Sequence, residues 1–586
     1  MSKSTWDKNA PGNEWNSPEN WTPNNVPTDE AVFSTSDQTS IKFNTKTTAE
    51  VNNIEFLEGA DAFNLTIGNS PDNTVLVINE SVVNNSEHQQ IIEVASEGAH
   101  YQTPQMKFTG SANAGKENML YKAGPTSLEG GFGGGIIAFT DHATAGSASF
   151  VARTGAVNPP KENSTVGAEI SFSDQSNAGR GNFTSYGTLQ PVDGEKLDAD
   201  TFANIVFHNE TNAANGTFIS AGGTYGDGGN TQFYDSSNAA NGTFINHGGT
   251  MKGANGGDTV FDGNSNGGHG NYTNHAATHE SGYGGVVSFN NNPPHVDQGG
   301  SFAGHGTYHN LGASKEGDGG GGHIEFSAVY GCPTADHGTF HNYGSTLSTG
   351  STAGHTILSI NLPTKYYPNG GFGNFWNYPA PSSDGSPGYT ELAVYKSKDY
   401  NAETDGTPEN YPTAGNATFH NLGGTEDGAS GGYTKISGKC SAGSATLIAT
   451  AGENGGCGGQ IIFEDDADAS QSGIQLKGNG TLDISGHIGT VSSRNLMTEG
   501  GVVVVQTGEK PTTLELSGNL HVSGDKLTFQ FPYKGGTFEY DQEYTLLSAP
   551  NLGDYSKDDF QWGYDEGFSA YFEIDGEELK VRFERE

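Results

Sequence analysis

The chain has 586 residues, 88 of them glycine, with hydrophobic residues at 32% and charged residues at only 16%. So little charge excludes a highly charged disordered chain, and 31 Phe with 24 Tyr supply the material of a core. Lys and Arg total 27 against 68 Asp and Glu, a net charge of −41; that field repels phosphate backbones, uronate polymers and anionic membranes, so no nucleic-acid partner is expected and cations are favoured.

Residues 1–100 carry strand-like stretches and the aromatics Trp6, Trp15 and Trp21 without a regular phrase, and are expected to form a β-rich N-terminal cap. The opening MSKSTWDKN lacks the apolar core of a secretion signal. An exported form is therefore expected to have been trimmed or to travel by another route. No run approaches the ~18–20 apolar residues of a membrane-spanning helix.

From 101 to 510 the chain repeats itself. One phrase, as in ANGTFINHGGT at Ala240–Thr250, places an aromatic marker at Phe150, Phe183, Phe218, Phe244, Tyr272, Tyr308, Phe340, Phe375 and Phe419, ending with Leu447 (strand A). A second, as in TQFYD or TVFDG, marks strand B at Phe139, Phe172, Phe207, Phe233, Phe261, Phe289, Phe326, Leu358, Leu392, Ile436 and Phe463. Regular coils advance 11 residues from B to A, as from Phe233 to Phe244, and 26 to 28 residues per repeat. Such a unit is too short to bury a core alone and must stack on its neighbours. Alternation turns each marker inward, with Ile137, Ile170, Ile205, Thr231, Thr259, Val287 and Ile324 two residues before the B markers as an inward β-branched ladder. Two residues after the A markers stand Ser185, Ser220, Asn246, Asn274, Asn310, Asn342, Asn377 and Asn421. Amides at one corner of successive coils can satisfy each other along the axis. The expected fold is all-β: a parallel β-helix (β-solenoid) of roughly a dozen coils of about 26–36 residues.

The phrases AGNATFHNLGGT and GGQIIFEDDADAS, the opening WDKNAPGNEWNSPENWTPNNVPTDEAVF and the close LELSGNLHVSGDKLTFQF…YTLLSAP resemble extracellular β-helix proteins of the autotransporter-passenger and PEP-CTERM-exported type. The resemblance spans nearly the whole chain but carries no catalytic residue. It implies an extracellular or cell-surface location and a structural or adhesive role, with the export signal and the sorting anchor or translocator barrel of that pattern not expected within these residues.

Insertions mark the face of a solenoid that does something. Early coils lengthen the A-to-B connection (150 to 172 and 183 to 207), and later coils lengthen B to A (289 to 308, 326 to 340, 358 to 375, 392 to 419). The last two connections bring Tyr366, Tyr367, Trp376, Tyr378, Tyr395, Tyr400 and Tyr411 close in sequence, an aromatic set able to stack on sugar rings without charge or to pack on itself. Outward positions flanking the A markers hold a row of His269, His305 and His337 and a second of His309 and His341. Imidazoles in adjacent rungs could converge on a transition metal, or titrate together and repel; duplication of a tolerated polar residue explains them equally. Calcium is the other cofactor the sequence allows, at Asn255–Gly268 or at Asp465, Asp466 and Asp468, and none is required.

Catalysis finds little support. Asp141, Asp174 and Asp235 share one turn position with Asn209, the few arginines (Arg153, Arg180, Arg494, Arg582, Arg585) pair with no acidic cluster, and no nucleophile elbow or phosphate loop occurs. Cys332, Cys440 and Cys457 are too sparse for a disulfide framework and are expected free. Residues 511–586 are expected to form a C-terminal β cap in which YFEIDGEELKVRF is a hairpin turning at Asp575–Gly576. The expectation is a non-catalytic extracellular structural or adhesion solenoid contacting polysaccharide or another cell surface. The alternatives are a virion tail fibre or spike and a secreted polysaccharide lyase or glycoside hydrolase. Self-association into a homo-oligomer or fibre stays open.

Overall fold

The computed structural model describes residues 3–43, 48–68, 74–96, 104–125, 134–155, 167–189, 201–290, 299–362, 364–396, 410–507, 511–531, 542–563 and 568–585. Regular structure among them is almost wholly β, and the chain forms two compact units, Met1–Val287 and Ser288–Glu586. Both are built as a parallel β-helix, as the repeat requires.

In the first unit each coil makes three parallel contacts with the next. Strand Asn230–Phe233 lies between Asn204–Phe207 and Asp258–Phe261, and strand Thr243–Asn246 between Thr217–Ser220 and Asn271–Asn274. Between them a single bridged residue stacks Asn212 on Asn238 and Asn238 on Asn266. The corner after Asn238 is tight because its Oδ1 accepts the Ala240 N–H at 2.6 Å, which holds Ala240 at a positive φ of 48°. Markers fall in register one on another. Phe139, Phe172, Phe207, Phe233 and Phe261 stack at 4.6–4.9 Å and within 10° of parallel. A second ladder from Tyr121 through Phe150, Phe183, Phe218 and Phe244 to Tyr272 meets the first edge to face, as in Phe233–Phe244 at 5.7 Å and 74°. Each buried ring contributes on the order of 2–3 kcal/mol by burial alone, so the two ladders are the core.

Glycine pairs precede the B strands because backbones nearly touch there: a Cβ on Gly257 would lie 2.1 Å from the Ser220 carbonyl oxygen. Parallel pairing also begins well before residue 101. Glu30–Phe33 pairs with Asn53–Phe56, and the strand Thr48–Phe56 continues the ladder to Val75–Asn84. The inward residues of these early coils are mainly aliphatic (Ile54, Val82, Ile92), so the aromatic phrase does not mark them. What closes this end is smaller than the 1–100 cap expected from sequence. Lys3–Trp6 pairs antiparallel with Trp21–Thr22 over buried Trp6, Trp15 and Trp21, and Trp15 stacks on Phe43 at 4.4 Å.

The second unit repeats the plan, with Tyr308, Phe340, Phe375 and Phe419 stacked at 4.6–4.9 Å. Its inner corner is polar. Asn310 Nδ2 donates to Asn342 Oδ1 (2.8 Å), Asn342 to Asn377 (2.9 Å) and Asn377 to Asn421 (2.8 Å), all four residues fully buried. Threonines two residues before the B markers complete it: Thr356, Thr390 and Thr434 hydroxyls donate to Asn342, Asn377 and Asn421 Oδ1 at 2.9–3.0 Å. Three B strands lengthen here, His323–Ala328, His355–Leu362 and Tyr389–Lys396, paired in parallel. Toward the C-terminus a five-stranded sheet forms, ending in the antiparallel hairpin Phe568–Asp575 with Glu578–Arg585. Gly576 takes a positive φ of 64° in its turn.

Candidate functional site

The lengthened B strands of the second unit gather part of the aromatic set. Ala328 and Ile360 are fully buried, and Tyr366, Tyr367, Tyr411 and Val394 pack half-buried against them. Two lysines lie over this cluster, Lys365 Nζ at 4.9 Å from the Tyr366 ring and Lys439 Nζ at 5.9 Å from that of Tyr411. Tyr395, next to Val394, is 42% exposed, and Tyr330 is 37% exposed. Glu391, on the same strand as Tyr395, is held above the ordinary carboxylate range by burial and by Glu464, against the pull of Lys435. Lys435 itself reaches Glu464 at 2.8 Å.

Trp376 and Tyr378 stand elsewhere, on and just after strand Asn374–Asn377 on the outward side of the A strands. Their faces are already covered. Trp376 stacks on His420 at 3.9 Å and 7°, and Tyr378 on Tyr343 at 4.6 Å and 14°. Tyr378 Oη also sits 3.0 Å from His341 Nδ1. Rings stacked along the coil axis turn their edges outward, so these two present indole and phenol edges rather than a platform for a sugar ring. The seven aromatics therefore divide: Tyr366, Tyr367 and Tyr411 pack on Ala328 and Ile360, Tyr395 stands exposed on strand Tyr389–Lys396, two belong to the A-strand face, and Tyr400 lies outside the described residues.

The histidine rows are stacks. His305 lies on His337 at 4.8 Å and 23°, and His309 on His341 at 4.9 Å and 8°. His269 belongs to the first unit and is exposed. Face-to-face imidazoles carry their nitrogen lone pairs in parallel planes, whereas a shared ion needs them to converge at about 2.0–2.1 Å. Among the described residues no three His, Cys, Asp or Glu gather as a metal-binding group. Sequence reasoning passed over two further stacks, His247 on His275 (4.9 Å) and His323 on His355 (5.0 Å, 5°). The signal was present: His323 and His355 each stand three residues before a B marker, as His247 and His275 stand three after an A marker. Burial, and then the neighbouring imidazole, pushes His341 and His275 below the ordinary value; the same two causes push His355 down to about 3, against a hydrogen bond to the Ala353 carbonyl.

The shared aspartates are staples. Gly110 N–H donates to Asp141, Asp141 N–H to Asp174, Asp174 N–H to Asn209 and Asn209 N–H to Asp235, at 2.9–3.1 Å. All four residues hold positive φ between 56° and 61°. In the candidate calcium segments, Asp262 accepts the Gly263 N–H (2.7 Å), Asp465 the Gly438 N–H (3.2 Å) and Asp468 the Ser470 N–H and Ser441 hydroxyl. Cys332, Cys440 and Cys457 are free thiols, Cys440 buried and held high by that burial. No helix among the described residues is long and apolar enough to cross a membrane. No protein-family model matches the sequence, and no curated protein matches it.

Proposed function

We propose that the chain is a non-catalytic extracellular or cell-surface β-solenoid of structural or adhesive role, whose tyrosine cluster in the second unit contacts polysaccharide. One observation carries the reading: the repeat spends its chemistry on itself. Aspartates staple backbone N–H groups, asparagines bond to asparagines, and histidines stack on histidines from coil to coil. The tyrosines around the lengthened B strands depart from that rule: Tyr366, Tyr367 and Tyr411 rest on an apolar pair beside the coil, and Tyr395 stands exposed on strand Tyr389–Lys396. Tyrosine offers an apolar ring with a polar tip, the chemistry that suits a glycan. The net charge of −41 disfavours acidic polymers and favours a neutral one. The extracellular location rests on the resemblance of the repeated phrases.

Affinity electrophoresis through gels containing neutral polysaccharides tests the reading, with reducing ends assayed in parallel. Retention on at least one neutral glycan is expected, weakened about tenfold by Tyr395→Ala, the loss of one stacking ring of ~1–1.5 kcal/mol. Absence of retention throughout the panel would sink the contact. Reducing ends released by the protein and lost in Glu391→Gln would replace the non-catalytic reading with a hydrolytic one.

A further inference from the structure

The three histidine stacks of the second unit lie between the same two coils. His305, His309 and His323 belong to one coil, and His337, His341 and His355 to the next, stacked pairwise at 4.8, 4.9 and 5.0 Å. Backbone register pairs His309 with His341 and His323 with His355. We propose that this interface is a proton-sensitive seam, closed near neutral pH and loosened in mild acid. The proposal is independent of the polysaccharide contact.

Each pair is compatible with stacking while at least one ring is neutral. When both rings are protonated, two like charges face each other across about one β-strand spacing, ~4.8 Å. What surrounds each pair decides how far that repulsion is offset. At the first pair, Asp336 reaches His337 Nδ1 at 2.8 Å, and Phe372 covers His337 at 5.2 Å. At the third, Glu325 lies 3.6 Å from His323 Nε2, the Ala353 carbonyl accepts from His355 Nδ1 at 3.0 Å, and Tyr389, two residues from Glu391, stacks on His355 at 4.8 Å. One acid therefore stands beside each outer pair. The middle pair meets the hydroxyls of Tyr343 and Tyr378, at 3.2 and 3.0 Å from His309 and His341 Nδ1. The outward positions of its own strands and of Asn374–Asn377 are Thr307, Thr339, Asn374 and Trp376, none of them charged. The early coils of the first unit, before its own His247–His275 stack, supply the control: at the register positions of His309 and His341 they carry Val151 and Thr184.

Hydrogen exchange resolved by peptide tests the seam on the full chain with chelator present, corrected for intrinsic rates between pH 7.5 and 5. The opening constant of Thr307–Asn310, Thr339–Asn342 and His355–Leu362 should rise about tenfold per pH unit for each proton taken up on opening, while Ser149–Ala152 and Asn182–Ser185 stay level. His309→Gln combined with His341→Gln should lower the slope in the second unit. An equal acid response in Ser149–Ala152 and Asn182–Ser185, a flat response down to pH 5, or an unchanged slope in the double variant would overturn the proposal. So would loss of protection at pH 7.5 on adding the chelator, which would mean the rings hold an ion. Should the double variant fail to fold, the wild-type profile still decides, because a flat response or an equal response in the control strands overturns the proposal without it.

Discussion

Asn342→Ala opens the polar corner of the second unit at its best-connected point. The Asn342 carboxamide accepts from Asn310 Nδ2 and the Thr356 hydroxyl and donates to Asn377 Oδ1 and Thr390 Oγ1, at 2.8–3.1 Å. Its removal does not strand every partner. Asn310 Nδ2 keeps the His355 carbonyl, and Asn377 Oδ1 keeps the Thr390 hydroxyl. The Thr356 hydroxyl, fully buried, loses its acceptor. A stranded buried donor costs about 1–3 kcal/mol and each lost net hydrogen bond about 1 kcal/mol, so a local loss of about 3–4 kcal/mol is expected. The sequence already contains the apolar solution, since the first unit places Ala152 and Ile170 where later coils place Asn and Thr. Asn342→Ala with Thr356→Val should therefore recover about 1–3 kcal/mol, because the stranded donor is gone. Unfolding of a stacked array is seldom two-state, so peptide-resolved hydrogen exchange at Thr339–Asn342 and Asn374–Asn377 is the suitable assay. The single variant should exchange about 100- to 1000-fold faster. A double variant no better protected than the single one would refute the accounting.

Asn421 Nδ2, where that column ends, has no hydrogen-bond partner, and the next coil offers buried Ala449 in register. Ala449→Ser should supply an acceptor and strengthen protection of Thr418–Asn421 by about 1 kcal/mol; unchanged or weaker protection would contradict it. Gly257→Ala, with its Cβ 2.1 Å from the Ser220 oxygen, should cost about 1–3 kcal/mol or more and exceed Gly253→Ala, whose Cβ meets nothing within 4 Å at φ +70°; equal melting temperatures would refute the close-approach account. His355 titrates lower in the folded chain, at about 3, than an unfolded histidine at about 6.5, so unfolding takes up a proton between those values. The stability its neutral ring contributes is present above pH 6.5 and is lost as pH falls toward 3, a few kcal/mol in all. His355→Gln should flatten that part of the pH profile in denaturant titrations, and an unchanged profile would exclude His355 as its source.

The register of the coils was readable because a four-residue strand leaves no choice of face. Once Phe233 and Phe261 point inward, Gln232 and Val260 must point out. The asparagine column and the Asp141–Asp174–Asn209–Asp235 turn followed from the same spacing. Ring orientation did not, because a sequence position fixes the face of the sheet and leaves χ2 open. Histidines that could as well have converged lie flat on each other, and Trp376 and Tyr378 cover their faces with His420 and Tyr343. Nor could spacing show that Tyr366, Tyr367 and Tyr411 leave the coil for Ala328 and Ile360, which depends on strands lengthened beyond the repeat. The early coils escaped notice because Ile and Val fill the inward positions that Phe marks later.

The asparagine column has a direction. Asn310, Asn342 and Asn377 each donate toward the higher-numbered coil, so the amide dipoles add head to tail instead of cancelling, and hydrogen bonds in such a chain polarise one another. A buried vector of this kind gives the column a finishing point: at Asn421 it presents an N–H that seeks an acceptor. The coil that follows offers Ala449 there, so the vector stops within the stack rather than at its end. Along this stretch the interior thus tells one direction of the axis from the other, which the stacked rings of Phe340, Phe375 and Phe419, with neither donor nor acceptor, do not.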